Sequence, residues 1–261
     1  MRTRIAVAAV LAALAVLAGG CFDVEETVSL QRDLSGKASF SMKIDMEPMV
    51  EIMAGMQHSM SGKPGPATPE EIAEARRQLL AKEKSDAADP AKKKAELQQA
   101  RAEAEKQLPA GVKLLAMSID DEGLKMGARA EFSFDDVHKL AQLNLPQKGG
   151  GAAGGPDGNP YQAPFGGLKV VDEGATLLVT LSGADPKSRL QEIKGKIPEP
   201  GMQDQIAAAF KGARFAFRLE SPFEVVETNA TRREGKALIW EVSATDPAAQ
   251  LPETLSARFK K

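Results

Sequence analysis

The sequence predicts an α+β fold: an antiparallel β-sheet with one face covered by short helices, plus a helical-hairpin insertion. Three observations carry this reading. Leu124, Met126, Ala128, Ala130, Phe132 and Phe134 alternate strictly with Lys125, Gly127, Arg129, Glu131 and Ser133, the period of a half-buried strand. Met49, Ile52, Met53, Met56 and Met60 instead recur every three or four residues, as on a helix that lays one stripe on a core. Between Thr68 and Leu108, nine basic and nine acidic residues surround only Ile72, Leu79, Leu80, Leu97 and Leu108 as large apolar side chains, so this pair of helices buries a thin seam.

In chain order, Arg2 and Arg4 precede an unbroken apolar run, Ile5 to Ala18, and Leu17, Ala18, Gly19 and Gly20 lead into Cys21, the only cysteine. The apolar run is shorter than the roughly 20 residues that a bilayer span needs. This order resembles the lipobox of bacterial lipoproteins. The resemblance implies removal of residues 1–20, acylation of the Cys21 thiol and a cell-envelope protein facing the periplasm or the outside. It further implies attachment by palmitate-type chains, whose methylenes contribute about 0.8 kcal/mol each on entering a membrane. Phe22, where an aspartate would favour inner-membrane retention in such proteins, leans the expectation to the outer membrane of a Gram-negative host.

After the leader, Val24, Val28 and Leu30 and then Ala38, Phe40, Met42, Ile44 and Met46 alternate with polar residues. Arg32-Asp33-Leu34-Ser35-Gly36 lies between them, so a β-hairpin is expected, with Gly36 accepting positive φ. Pro48 opens the methionine-rich helix. Six of the ten methionines fall between Met42 and Met60, with His58 among them. A thioether metal site is conceivable chemistry there, but methionine is an adaptable core filler, and no metal ligand is assigned. Thr68-Pro69-Glu70-Glu71 is a capping box with a proline at the first helical position. The helix it opens should run to about Lys84, restart after Asp89-Pro90 and end at Leu108-Pro109.

Leu115, Met117 and Ile119 predict a strand that turns at Asp120-Asp121-Glu122-Gly123 into the one from Leu124 to Phe134. Asp135 and Asp136 cap a short helix with Val137, Leu140, Leu143 and Leu145, and His138 lies on it. Residues 147–164 read as a flexible Gly/Pro-rich loop without a phosphate-binding pattern. A hairpin follows, Leu168 to Val171 and Leu177 to Leu181, then a short helix over Gln203 to Phe210. Strands are expected at Phe215, Phe217 and Leu219, at Val225 and Val226, and last at Ala237 to Val242, which carries Trp240. Residues 21–261 are thus expected to form a single domain with helical insertion 68–108.

Without Arg2 and Arg4 the chain has 32 basic and 36 acidic residues, a formal charge of -4, so nothing points to nucleic acid. Aromatic content of 5% suits a plain scaffold better than an aromatic-lined cleft. Two histidines, no thiol beyond Cys21 and no Gly-x-Ser-x-Gly elbow leave no nucleophile and base to assemble. No cofactor is implied, and the expected function is a non-catalytic binding or structural module, with carriage of an apolar, lipid-like ligand as the alternative. The helical hairpin 68–108 is the candidate surface for a protein partner. Val28-Ser29-Leu30 with Asp33, Ser35 and Gly36, together with Phe223, Asn229-Ala230-Thr231, Gly235 and Trp240, resembles LppM-type domains of bacterial lipoproteins. That resemblance implies a β-rich domain with no assigned chemistry.

Overall fold

The computed structural model describes residues 22–63, 65–87, 90–143, 165, 167–182, 213–243 and 251–261. The leader 1–20, Cys21, loop 147–164 and the helix expected over Gln203 to Phe210 lie outside the described residues. The fold is α+β. The first half supplies β1 (Phe22–Leu30), β2 (Gly36–Asp45), α1 (Glu47–Met60), α2 (Pro69–Ala87), α3 (Pro90–Gln107), β3 (Val112–Glu122), β4 (Lys125–Phe134) and a 3-10 helix (Val137–Gln142). The second supplies β5 (Leu168–Asp172), β6 (Thr176–Ser182), β7 (Arg214–Glu220), β8 (Glu224–Thr228), β9 (Arg232–Glu234), β10 (Ala237–Ser243) and β11 (Thr254–Lys260). One sheet has the order β3-β4-β2-β1-β7-β10-β9 and the other β5-β6-β11-β8. Every ladder is antiparallel except that between β1 and β7.

The β1–β2 hairpin is fixed by its turn. Asp33 Oδ1 accepts from the backbone N–H of Ser35 at 3.1 Å and from its hydroxyl at 2.6 Å. The left-handed residue is Leu34, with φ 65°, not Gly36 as the sequence suggested. Gly36 answers a different need: a Cβ there would lie 2.0 Å from the carbonyl oxygen of Ser29, so only glycine lets the two strands close.

A bulge re-phases β3. Leu114 pairs with Phe132 and Ala116 with Glu131, leaving Leu115 as the extra residue. Leu114 is therefore in the core at 8% exposure while Leu115 turns to the opposite face at 44%. The expected Leu115, Met117, Ile119 stripe is corrected by this step: Met117 and Ile119 share the face of Val112 and Leu114.

The buried face of the larger sheet carries Val28, Ala38, Phe132, Phe134, Phe217, Leu219, Leu238 and Trp240. They form one cluster with Leu168, Leu177, Leu181, Leu255 and Phe259 of the smaller sheet and with Val137 and Leu140 of the 3-10 helix and Leu143 at its C-cap. The cover on that face is thus largely a second sheet, because β5, β6 and β11 each present an apolar side that must also leave water. Phe217 and Trp240 pack at 5.6 Å between ring centroids, and Phe132 meets Phe165 edge to face at 6.5 Å. β11, an inner strand of the smaller sheet, follows β10 in the chain, so the strand expected at Ala237 to Val242 is not the last.

The first two helices pack on one another, and the third packs on β3. Val50 and Ala54 of α1 bury against Ala75 of α2, with Met53, Ala67, Ile72 and Leu124 around them. In the predicted hairpin the first arm, α2, therefore finds its partner in α1. From α3, Ala104 reaches the main cluster, and Leu108 just beyond packs against it.

Candidate functional site

Leu17, Ala18, Gly19, Gly20 and Cys21 lie outside the described residues, but the geometry beside them is defined. Residue 22 is already paired with Ile44 at the start of β1. β1 is the middle strand of the larger sheet, with β2 on one side and β7 on the other. Along the buried face at this end run Val24, Met42, Ile44, Ala128 and Met117, all half-buried. Met126 and Ile119 complete the set at 45% and 44% exposure. Further in, Glu26 interrupts the apolar face between Phe40 and Phe217 and is buried. The missing apolar residue at position 26 of the alternation was its signal in the sequence. Among the described residues no helix is long and apolar enough to cross a membrane.

The opposite face of the larger sheet is polar and tied by a chain of ion pairs. Asp23 meets Arg214 at 2.7 Å, Arg214 meets Glu241 at 2.8 Å, and Glu241 meets Arg232 at 3.1 Å. The chain continues from Arg232 to Glu234 at 3.4 Å, to Arg218 at 3.0 Å and to Glu220 at 2.9 Å, and ends on the hydroxyl of Ser29 at 2.9 Å. Ala216, Ala237 and Ile239 lie buried on this same face, and the surrounding arginines supply apolar stems for such a surface while their heads stay paired. Hydrogen bonds from Arg218 and Ser29 hold the Glu220 carboxyl below its usual value, and Arg214 does the same for Glu241. Carboxylates held charged in this way are poor proton donors near neutral pH. An open groove of about 180 Å³ on this side is lined by Thr27, Ser29, Lys37, Ser39, Leu115, Arg129 and Glu131 among others, and neither histidine lines it.

Both histidines sit beside helix caps. His58 is 5% exposed, and its Nδ1 lies 2.7 Å from Glu71. Glu71 also accepts from Lys63 at 2.8 Å and from the Thr68 backbone at 2.9 Å, while the Thr68 hydroxyl accepts from the Glu71 N–H at 3.3 Å. This is the capping box read from the sequence, enlarged by a lysine and a buried imidazole. Lys63, the Thr68 N–H and His58, in that order, hold the Glu71 carboxyl at about 2. His138 lies against its own cap, Asp136, with Nδ1 at 2.6 Å from the carboxylate. Among the described residues no group of three or more His, Cys, Asp or Glu could hold a metal ion. The buried side of α1 is Met49, Val50, Ile52, Ala54 and His58, and Met60, expected on the stripe, is 75% exposed.

Asn229 does more than shape a turn. Its Oδ1 accepts from Trp240 Nε1 and from the Ser256 N–H, both at 2.8 Å, and its Nδ2 donates to the Thr254 carbonyl at 2.8 Å. It thereby joins β10 of one sheet to β11 of the other. Thr231 of the same triplet donates to the Ile239 carbonyl at 2.8 Å. Of the residues that carried the LppM resemblance, Asp33, Ser35, Gly36, Asn229 and Trp240 are thus determinants of hairpin and sheet geometry.

No model of a known protein family matches the chain, and no curated protein matches it. Among solved structures it is similar to the folded domain of LppM from Mycobacterium tuberculosis, determined by NMR. That match has 14% identity and a TM-score of 0.40 and covers 93% of this chain and 91% of the other. At that score the structural likeness is a weak one.

Proposed function

We propose that the protein is a lipid-anchored, non-catalytic binding or structural module of the cell envelope, attached through Cys21 and facing the periplasm or the outside. In a Gram-negative host its place is the outer membrane. The observation that supports this reading is that Leu17-Ala18-Gly19-Gly20-Cys21 immediately precedes β1 in the sequence, since β1 begins at Phe22. Adjacent Cα atoms are about 3.8 Å apart, so an acyl group on Cys21 holds the sheet at the membrane without a tether. In Cys21→Ala, a clickable palmitate supplied to the host should leave no label on the chain, and the product should remain unprocessed or be released. Label on the alanine variant overturns the reading.

The non-catalytic part rests on the placement of the titratable groups. Each histidine lies against a carboxylate at a helix cap, and the ion-paired carboxylates of the polar sheet face are held in their charged forms. The apolar-ligand alternative needs a deformable lining over the sheet, and the methionine-rich helix is the element suited to provide it. Met49 is buried, however, and Met53 packs on the α1–α2 cluster. Native mass spectrometry of the protein as purified should find no stoichiometric lipid beyond the covalent one.

The candidate protein partner meets the arm 68–108 on its exposed side, where Glu70, Glu74, Arg77, Arg101 and Glu105 face water. Glu74 and Arg77 pair at 2.6 Å, and Arg101 and Glu105 at 2.9 Å. Such pairs contribute only about 0–1 kcal/mol each to folding, which leaves this surface free to serve recognition. A photo-crosslinker at position 77 should trap a protein in intact membranes, and reversing the charge of Arg77 and Arg101 together should abolish the adduct. A surface that yields no adduct is a solvated insertion.

A further inference from the structure

We infer that the open apolar end of the larger sheet, centred on Ile119 and Met126, is the surface on which the domain rests against the bilayer that holds its own anchor. This rests on the lipidation of Cys21 proposed above. The register places the surface beside the anchor: Ile44 stands opposite residue 22, and Met126 stands opposite Ile44. Neighbouring strands lie about 4.8 Å apart, so the backbone of Met126 is about 10 Å across the sheet from that of Phe22. The next row along is Val24, Met42, Ala128 and Ile119.

Deeper in the fold the equivalent positions of the same strands, Val28, Ala38, Phe132 and Leu114, belong to the buried cluster shared with the second sheet. Toward the anchor that cover thins, leaving Met126 45% and Ile119 44% exposed. With the half-buried Val24, Met42, Ile44 and Met117 beside them in the register, these two side chains extend one apolar surface across four strands, and it is such extended surfaces that mark interaction sites. The bilayer is the occupant because of reach. One residue spans about 3.5 Å, so chains on Cys21 keep this end of the sheet at the interface, where it cannot turn away to meet a distant partner.

Charge decides the kind of lipid contact. On the polar side of the same strand ends, Asp23, Asp45, Asp120 and Glu122 outnumber Lys43 and Lys125, and on the apolar side the register sets Asp121 of the edge strand β3 opposite Met126. A surface that worked by attracting anionic headgroups would carry the opposite excess. The contact is therefore apolar, made at the level where the acyl chains begin.

The test uses the full-length acylated protein in phosphatidylcholine vesicles, with Ile119→Cys or Met126→Cys carrying bimane. Acylation occupies the Cys21 thiol, so the introduced one is the only reactive site. Leu115→Cys on the polar face and Val226→Cys in the second sheet serve as references. All four native side chains are exposed, so the substitutions spare the core. Phosphatidylcholine spin-labelled high on the acyl chain should quench positions 119 and 126 about threefold more than 115 and 226, since an interfacial apolar surface sits about 5–10 Å into the headgroup and acyl boundary. Added phosphatidylglycerol should leave that ratio unchanged or lower it. Uniform quenching overturns the surface, as does quenching that appears only with anionic lipid. Crosslinking between two copies through position 126, in place of quenching, assigns the face to a second copy. Acyl mass at Cys21 separates the two failures: an acylated chain with uniform quenching loses this surface alone, and a chain without acyl mass loses the anchor and the surface together.

Discussion

Asn229 serves both sheets at once, and its side chain has no unused polar atom. Removing it leaves the buried indole N–H of Trp240 and the Ser256 N–H without their acceptor. Asn229→Ala should therefore destabilise the protein by about 3 kcal/mol, the upper range for an orphaned buried donor. In a Trp240→Phe background, where no indole N–H remains, the same substitution should cost about 1–2 kcal/mol less. Urea unfolding followed by circular dichroism of the four proteins in this cycle gives the coupling, and a value near zero would mean that the indole has another acceptor in reach. In the sequence Asn229-Ala230-Thr231 stands out only as part of the LppM resemblance. Its larger role was hidden because its partners lie 11 to 27 residues away in sequence. Neither periodicity nor spacing records such a pairing.

Among the elements, the α1–α2 pair carries a pH-sensitive contact. The Glu71 carboxyl is held at about 2 in the folded protein against an ordinary 4.5. A carboxyl depressed on folding binds fewer protons in the native state, so the stability it adds is present above about 4.5 and lost as pH falls toward 2. Glu71→Gln, which keeps the reach of the capping side chain but not its charge, should lack that acid-dependent step. Methyl NMR of Ile72 against pH should show wild-type α1–α2 packing loosening across this window, with the variant nearly flat. Caps, helix bounds and most strands could be read from the sequence because each depends on a few neighbouring residues. The β3 bulge could not, since Leu114 and Leu115 are equally apolar and only Phe132 and Glu131 across the ladder decide which goes inward. Leu255, Ala257 and Phe259 do alternate with Ser256, Arg258 and Lys260, so β11 was legible and was missed. The anchor end offered less: its apolar residues were visible, but their convergence on three adjacent strands is a matter of register.

Across the whole molecule, the two sheets hold one apolar cluster, so neither has a dry interior of its own. One domain is the arrangement we propose, and limited proteolysis tests it. A cut within 147–164 should leave fragments that elute together and unfold in one transition, whereas fragments that part and stay folded would establish two domains. The larger sheet unites β1 to β4 with β7, β9 and β10, from beyond that segment, through the parallel β1–β7 ladder. Strand order of this kind follows from long-range pairing, which a pattern of alternation does not specify. The same ladder has a mechanical meaning. On a chain anchored at Cys21, any pull between the membrane and whatever the domain holds enters β1 end-on. β1 is bonded to β2 from Phe22↔Ile44 to Leu30↔Gly36 and to β7 from Asp23↔Arg214 to Ser29↔Glu220. The load is therefore shared in shear by two rows of hydrogen bonds that must fail together, whereas a strand at the rim of the sheet would unzip one bond at a time.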